Sequence, residues 1–389
     1  MSPPRREDLA AARRIVVKLG TAVVTHDGLE LALGRLHAVV EELGRLHRSG
    51  REPLLVSSGA VGMGTRALGL RQRPTSLGLR QACAAVGQGH LMALYTQAFA
   101  QLGLVAAQVL LTQEDLADRD RALCLRTTLL RLLELRAVPV LNENDSVSVR
   151  ELVEHRRTKE DETPEPAFGD NDGLSARVAV ALDADLLVLM TNVDGLFTAN
   201  PAIDPAATRI PERVGVDEEL DALASGRSRG GTGGMASKLE AARLATEAGC
   251  TVLIVDGTRP EALTRALAGE DLGTVLWSPA PRRARRQQIA IDRQQGALVL
   301  NEGAIAALVE RKASLLPIGV VRVEGEFSRG EVVELRDGSG RVHGRGIVNY
   351  DADACRALAG RHSSEIDRIL GWRGYDALVT RDNLVLGEV

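Results

Sequence analysis

The chain has 389 residues, of which 44% are hydrophobic and 26% are charged, and its formal net charge is −4. This length predicts two domains or three, and this composition excludes the disordered and fibrous classes and any general attraction to nucleic acid. There is no apolar run of the ~18 residues that a membrane helix needs and no secretory signal, and the four cysteines lie far apart. We therefore expect a cytoplasmic protein without a membrane anchor, a disulfide framework or a structural zinc site.

Predicted strands and helices alternate along residues 14–277. The apolar run 14–20, stopped by Gly20, is typical of a buried strand, and apolar residues at helical spacing follow it up to Gly50, where a helix cap is expected. Those helical residues are Leu36, Val39, Val40, Leu43 and Leu46. Further strands are predicted at 53–59, 104–111, 138–141, 185–190 and 251–255. This alternation predicts an α/β fold, a three-layer αβα sandwich around a mostly parallel sheet.

The character of the sequence changes near residue 280. A connector rich in proline and arginine, at about 279–286, precedes short strand-like runs at 289–292, 319–324, 331–335 and 342–348. We therefore predict a first domain over 1–279 and a small β-rich domain over 280–389. Within the first domain, the charged segment 151–166 contains two prolines and is interpreted as a surface loop.

Polar and glycine-rich segments follow the predicted strands, where the ligands of such sheets bind. The segment 231–238 is the most informative, because its glycines and the following helix N-terminus can bind an anion, and Lys238 adds a full charge. Only four of the 48 basic residues are lysines, and two of these, Lys18 and Lys238, lie in glycine-containing segments. Since a lysine is a compact point charge and an arginine a planar fork, this usage predicts a phosphate site.

Other nucleotide and nucleophile motifs are missing or weak. The segment 231–238 lacks the ending of the P-loop, and the chain has no protein-kinase motifs. The segment 62–67 resembles a dinucleotide-binding fingerprint only weakly, because no convincing acid follows at the required distance. The scattered histidines have no nucleophile motif nearby, which argues against triad catalysis.

Five segments in combination carry a resemblance to a known family. They are Val16–Thr21, Ser57–Ala60, Val138–Asp145, Gly169–Asp172 and Gly231–Lys238. Together they resemble the glutamate 5-kinases of the amino acid kinase family, and the tail (315–319, 327–330 and 364–367) resembles the PUA module that many of these kinases carry. The resemblance covers nearly the whole chain.

The resemblance implies roles for individual residues. Catalysis is assigned to Lys18 and Lys238, which contact the ATP phosphates, and to Asp172, which orients both lysines. Glutamate is held by Ser58, Asp145 and Asn171. The nucleotide is bound by Lys18, Thr191, Asn192, Thr232, Gly233, Gly234, Met235, Ala236, Ser237 and Lys238. No residue is assigned as a protein ligand of a metal. The charged segment 151–166 enters the loop that reaches the glutamate site, and its role is left open.

The implied reaction is ATP-dependent phosphorylation of the glutamate side-chain carboxylate to glutamyl 5-phosphate, the first step of proline synthesis. ATP is the co-substrate, and Mg²⁺ is expected to arrive mainly with the nucleotide. A homo-oligomer and feedback inhibition by proline are carried over as expectations.

Two alternatives remain at this point. An RNA-binding protein is conceivable because PUA-like modules often contact RNA, but residues 286–389 contain 14 basic and 15 acidic side chains, a net of −1. The other alternative is a kinase of the same fold that acts on another acid, such as aspartate or N-acetylglutamate. The pairing of the segments 142–145 and 169–172, together with the tail, favours glutamate.

Overall fold

A computed structural model describes residues 4–26, 30–72, 74–148, 171–201, 203–225, 234–279, 295–372 and 374–387. The chain divides into two compact units, residues 1–282 and 283–389, and each is described by itself. The predicted loop 151–166, the predicted strand 289–292 and most of the connector 279–286 lie outside the described residues.

The described part of the first unit contains ten strands. They are β1 (Arg14–Leu19), β2 (Glu52–Ser57), β3 (Ala106–Leu111), β4 (Val138–Glu143), β5 (Leu186–Thr191), β6 (Leu196–Phe197), β7 (Arg209–Ile210), β8 (Glu212–Val214), β9 (Thr251–Asp256) and β10 (Thr274–Trp277). Eight of them form one sheet in the order β3-β4-β2-β1-β5-β9-β10-β8, and β6 pairs with β7. The six strands from β3 to β9 are parallel, while β10 runs antiparallel to β9. The prediction of a mostly parallel sheet is confirmed.

Helices of the first unit cover both faces of this sheet. They are α1 (Thr21–Val24), α2 (Leu33–Arg48), α3 (Ala60–Ala67), α4 (Leu77–Gln101), α5 (Gln113–Ala117), α6 (Arg119–Glu134), α7 (Asn171–Ala181), α8 (Glu218–Ser225), α9 (Met235–Glu247) and α10 (Ala262–Leu267). In α2, all five apolar positions of the predicted stripe are buried, and Gly50 has a φ of 86° just after the helix.

Alternate residues of β1 enter two separate cores. Ile15 and Val17 pack in one core, to which α2 and α4 contribute, whereas Val16 packs in the other, to which α6, α7 and α9 contribute. This division follows from the alternation of side chains along a strand. The three-layer αβα architecture is therefore confirmed.

Helices α3 and α4 cross with their backbones in close approach. A Cβ atom on Gly64 would lie 1.8 Å from the carbonyl oxygen of Cys83, and one on Gly87 would lie 1.8 Å from that of Ala60. Both positions therefore require glycine. The weak fingerprint at 62–67 thus has a packing explanation, since Gly64 lies within α3 against the backbone of α4.

The second unit is a small β-rich fold. Its strands are β11 (Gly296–Leu300), β12 (Val320–Gly325), β13 (Val332–Arg336), β14 (Val342–Ile347) and β15 (Leu384–Leu386), in the order β12-β11-β13-β14-β15. Its helices are α11 (Glu302–Glu310), α12 (Ala352–Leu358) and α13 (Ile366–Leu370). A separate apolar core includes Leu298, Leu335 and Tyr350. No helix in the described parts of the chain is long and apolar enough to cross a bilayer.

Candidate active site

The carboxyl ends of β1, β2, β4 and β5 lie side by side and bring the predicted site residues to one edge of the sheet. Lys18 is the penultimate residue of β1, Ser58 follows β2, and Thr191 ends β5. The neighbouring strands are in parallel register, with Lys18 opposite both Val56 of β2 and Leu189 of β5. A common edge of this kind is where ligands bind to such sheets.

A single carboxylate joins the two predicted lysines. Lys18 Nζ lies 2.7 Å from Asp172 Oδ1, and Lys238 Nζ lies 3.1 Å from Asp172 Oδ2. All three side chains are buried, with exposed fractions of 2%, 7% and 0% for Lys18, Lys238 and Asp172. Buried charges persist when they are paired, and here two positive charges share one negative charge. The charges of these three side chains sum to +1, which favours an anion as their ligand.

Two helix starts position this cluster. Asp172 is the second residue of α7, and Lys238 lies in the first turn of α9, where Ser237 Oγ also donates to Asp172 Oδ2 at 3.1 Å. The N-terminus of α9 adds the partial positive charge of its backbone N–H groups to the ammonium groups. Gly234 is the N-cap of that helix. Phosphate oxygens are the ligands that this arrangement favours.

A second polar cluster surrounds Asn171, the first residue of α7. Its Nδ2 donates to Ser57 O at 2.9 Å, to Ser58 Oγ at 3.0 Å and to Asn142 Oδ1 at 2.9 Å. Because Asp172 is the next residue, this amide cluster adjoins the lysine cluster. The structure thereby brings together two of the three residues assigned to glutamate, Ser58 and Asn171.

Two glycines permit the close approach of the strand ends. Gly20 N donates to Met190 O at 3.0 Å, and a Cβ atom on Gly20 would lie 3.2 Å from that oxygen and 3.8 Å from Lys18 Nζ. Gly59 has a φ of 110°, which turns the chain sharply from β2 into α3. A side chain at Gly20 would therefore press on the carbonyl group of Met190, beside the lysine cluster.

The remaining assigned residues lie around these two clusters or outside the described residues. Asp145 is half-buried in the turn two residues past β4, and Asn192 is exposed just past β5, where its Oδ1 accepts from Thr191 Oγ1 at 3.4 Å. Met235 and Ser237 are half-buried and Ala236 is exposed in the first turn of α9. Thr232 and Gly233 are outside the described residues.

Three side chains outside the predicted set support the site. Asn142 lies in the family-like segment Val138–Asp145, and Gln88 and Tyr95 lie on α4. Gln88 Oε1 accepts from Asn142 Nδ2 at 2.8 Å, and Tyr95 OH shares a 2.7 Å hydrogen bond with Ser57 Oγ. Complete burial raises the pKa of Tyr95, so the hydroxyl stays protonated. Neither Gln88 nor Tyr95 belongs to a motif, so the sequence contains no signal that identifies them.

Comparison with known proteins identifies the family. The model of the amino acid kinase family matches residues 13–256, and that of the PUA domain matches residues 296–370. A glutamate 5-kinase of Synechococcus sp. (strain JA-2-3B'a(2-13)) is 47% identical over 378 residues, which cover 96% of this chain and 98% of the relative. The chain belongs to the amino acid kinase family and, within it, to the glutamate 5-kinases.

Other members of the family agree over the same length. The glutamate 5-kinase of Moorella thermoacetica is 44% identical and covers 97% of each chain, and that of Thermus thermophilus is 45% identical over 97% of this chain and 98% of the relative. The predicted resemblance is therefore confirmed. As a member of the amino acid kinase family with a C-terminal PUA domain, the chain is a phosphotransferase.

The described part of the amino acid kinase site has donors for phosphate but no acid cluster that could enclose a metal ion. Among the residues that the structure describes, no group of three His, Cys, Asp or Glu side chains is arranged to hold a metal ion. Both oxygens of Asp172 face ammonium groups. The described residues therefore do not fit a metal held by protein ligands alone, and we assign no reaction step to one.

Proposed function

We propose that this chain transfers the γ-phosphoryl group of ATP to the side-chain carboxylate of L-glutamate and forms L-glutamyl 5-phosphate, the first step of proline synthesis. The observation that carries the proposal is the pair of ammonium groups, Lys18 and Lys238, on one buried carboxylate at the sheet edge. The high identity to glutamate 5-kinases over nearly the full length supports the same substrates.

The acceptor needs no general base. A glutamate side chain has a reference pKa of about 4.3, so its carboxylate is ionised at neutral pH and is already a nucleophile. One carboxylate oxygen forms a bond to the γ-phosphorus, the bond from that phosphorus to the bridging oxygen breaks, and ADP leaves with the electron pair. The protein then has to place the reactants in line and stabilise the charge on the transferring group.

Lys18 and Lys238 supply that stabilisation in this proposal. Asp172 keeps the two ammonium groups apart and oriented before the nucleotide binds, so little reorganisation is needed during transfer. The net charge of +1 on the cluster favours a phosphate group that carries negative charge. We assign Lys18, Lys238 and Asp172 to catalysis on this basis.

The nucleotide would lie between the end of β5 and the start of α9. Thr191, Asn192 and the segment 232–238 are proposed to bind it, with Gly234–Lys238 presenting backbone N–H groups to the phosphates. We propose that Mg²⁺ enters with ATP and keeps much of its water shell, as Mg²⁺ commonly does in kinases. Glutamate would occupy the side of Ser58, Asn171 and Asp145.

Several further properties are proposed from the resemblance to the family. We propose that the enzyme is cytoplasmic, forms a homo-oligomer and is inhibited by proline. We also propose that the kinase domain spans 1–279 and the PUA-like domain 280–389. The near-neutral charge of residues 286–389 does not favour RNA as a ligand of the second unit.

A coupled assay of ADP release tests the proposed reaction. Purified enzyme with ATP and Mg²⁺ is offered glutamate, aspartate, N-acetylglutamate and carbamate in turn. We expect kcat/KM for glutamate to be at least about 100 times that for the other acids. The acyl phosphate product should be trapped with added hydroxylamine and detected as a hydroxamate. Preference for any of the other three acids would overturn the assignment.

A further inference from the structure

Helix α4 contacts the proposed glutamate site through three side chains that are seven residues apart. Gln81 Nε2 donates to Ser148 O at 3.2 Å, Gln88 Oε1 accepts from Asn142 Nδ2, and Tyr95 OH bonds to Ser57 Oγ. Seven residues are close to two turns of helix, so the three side chains lie on one face. That face supports both β2 and the loop after β4.

The middle contact fixes the orientation of an amide. Asn142 Oδ1 accepts from Glu143 N at 2.9 Å, and its Nδ2 donates to Gln88 Oε1 at 2.8 Å. These two contacts define which end of the Asn142 amide is the acceptor. Its Oδ1 is thereby presented to Asn171 Nδ2.

The orientation of Asn171 follows from that of Asn142. The Nδ2 of Asn171 faces Ser57 O, Ser58 Oγ and Asn142 Oδ1, and Ser57 O can only accept. A reversed amide would place oxygen against oxygen. Because the amide is planar, Asn171 Oδ1 must point away from these three atoms, on the side where it can accept from a cation.

The same contact defines what Ser58 can do. Its Oγ accepts from Asn171 and has one proton of its own to donate. The pair therefore offers one acceptor, Asn171 Oδ1, and one donor, the Ser58 hydroxyl. An ammonium group and a carboxylate on one carbon atom, as in a free α-amino acid, complement this pair.

We propose that Gln88 is a positioning residue which, through Asn142, keeps Asn171 Oδ1 directed at the α-ammonium group of the substrate and so selects acids with a free amino group. This inference rests on the proposed function. It assigns part of the substrate preference to a helix residue that touches neither the lysine cluster nor Asn171 itself.

Close packing of α4 on α3 makes Gln88 effective in this role. The adjacent Gly87 lies so close to Ala60 that a Cβ atom would be 1.8 Å from its carbonyl oxygen. The backbone at Gln88 is thus held against the helix that begins directly after Gly59. A rigid support of this kind keeps the hydrogen bonds from Gln88 through Asn142 to Asn171 in a fixed geometry.

The test compares glutamate with glutarate, which lacks only the amino group. Gln88→Met removes the acceptor but keeps the length of the side chain, Gln88→Glu keeps an acceptor, and Gln97→Met makes the same change at an exposed position of α4. If wild type does not turn glutarate over, its inhibition constant against glutamate is measured instead.

We expect Q88M to raise KM for glutamate about tenfold, the effect of weakening one hydrogen bond to a charged group, while KM for ATP and the constants for glutarate change less than twofold. Q88E should stay within about threefold of wild type, and Q97M should equal it. Equal losses on glutamate and glutarate, no loss on either, or failure of Q88E to restore the preference would each overturn the inference.

Thermal stability and wild-type activity separate a failure of this inference from a failure of folding or of the proposed function. Thermal unfolding is followed for every variant, and Gln88→Ala replaces Q88M as the acceptor-free variant if Q88M does not fold. Wild-type enzyme that fails to phosphorylate glutamate would refute the proposed function itself. Normal wild-type activity with an unchanged glutamate preference in the acceptor-free variant would refute only the role of Gln88.

Discussion

Lys18 Nζ lies 2.7 Å from Asp172 Oδ1, although the two residues belong to the first strand and to a helix more than 150 positions later. The other oxygen of the same carboxylate faces Lys238. The proposed catalytic centre is therefore a shared ion cluster, in which each lysine depends on the placement of the other.

Replacement of Lys238 should impair the chemical step. Lys238→Ala removes a buried positive charge that would stabilise the transferring phosphoryl group, and we expect kcat to fall about 10²–10³-fold. Lys238→Arg should also lose most activity, since a planar fork does not fit where a point charge is held 3.1 Å from Asp172. Steady-state kinetics measure both, and Arg131→Lys on the exposed face of α6 is the matched control. Near-normal activity of K238R would contradict the argument from lysine usage.

Removal of the shared carboxylate should affect stability as well as activity. Asp172→Asn removes the negative charge that both buried ammonium groups contact, and we expect a loss of about 3–5 kcal/mol in the free energy of unfolding. Denaturant titration measures it, with Glu134→Gln in an exposed ion pair as a control that should cost less than about 1 kcal/mol. ATP should restore part of the loss, because its phosphates can neutralise the lysines. A stability equal to that of the control variant would refute the proposed ion cluster.

Asp145 should influence one substrate only. If its carboxylate binds the amino group of glutamate, Asp145→Asn should raise KM for glutamate about tenfold or more and leave KM for ATP nearly unchanged. Initial rates over a grid of both substrate concentrations separate the two constants. Equal increases in KM for glutamate and KM for ATP would indicate that Asp145 contacts the nucleotide instead.

The crossing of α3 and α4 should tolerate no side chain at residue 87. Gly87→Ala would push a methyl group into the carbonyl of Ala60, and we expect a loss of at least about 2 kcal/mol in the free energy of unfolding. Gly89→Ala on the same helix is the control, because nothing lies within 4 Å of its added Cβ atom and alanine favours helices. It should raise stability by about 0.5–1 kcal/mol, measured by chemical denaturation. Equal effects of the two substitutions would show that the crossing is adaptable.

The first unit should function without the second. A chain that ends at about Pro279 contains all assigned site residues and the complete eight-stranded sheet, whose last residue is Trp277. We expect it to fold and to retain glutamate-dependent ATP turnover, while its oligomeric state and its response to proline can change. Size-exclusion chromatography, thermal unfolding and kcat of the truncated chain measure its oligomeric state, its folding and its activity. A folded but inactive product would mean that the catalytic unit extends beyond residue 280.

The sequence predicted those parts of the fold that depend on local patterns. The apolar runs became β1, β2, β3, β4, β5 and β9, with ends within about two residues, because buried strands of a parallel sheet are continuous apolar runs. The antiparallel pairing of β10 with β9 was not predicted, since strand direction depends on the path of the chain and not on the composition of the strand. The parallel pairing of β11 with β13 was not predicted for the same reason.

The sequence predicted only those site residues that lie in charged and glycine-rich motifs. Lys18, Lys238 and Asp172 meet as expected from the resemblance, because each lies at a strand end or helix start of the same sheet edge. Gln88 and Tyr95 were missed, since a neutral polar residue on a long helix looks the same in sequence whether it faces water or a buried amide. Only the tertiary fold distinguishes Gln88 from the exposed Gln97.

The two backbone contacts between α3 and α4 have a mechanical consequence. Helix α3 starts at the turn that follows Ser58, and α4 contacts Asn142 near the end of β4, so the two sides of the proposed glutamate site are joined through the helix crossing at Gly64 and Gly87. A substitution that shifts either helix should therefore alter the Ser58 side and the Asn142 side of the site together.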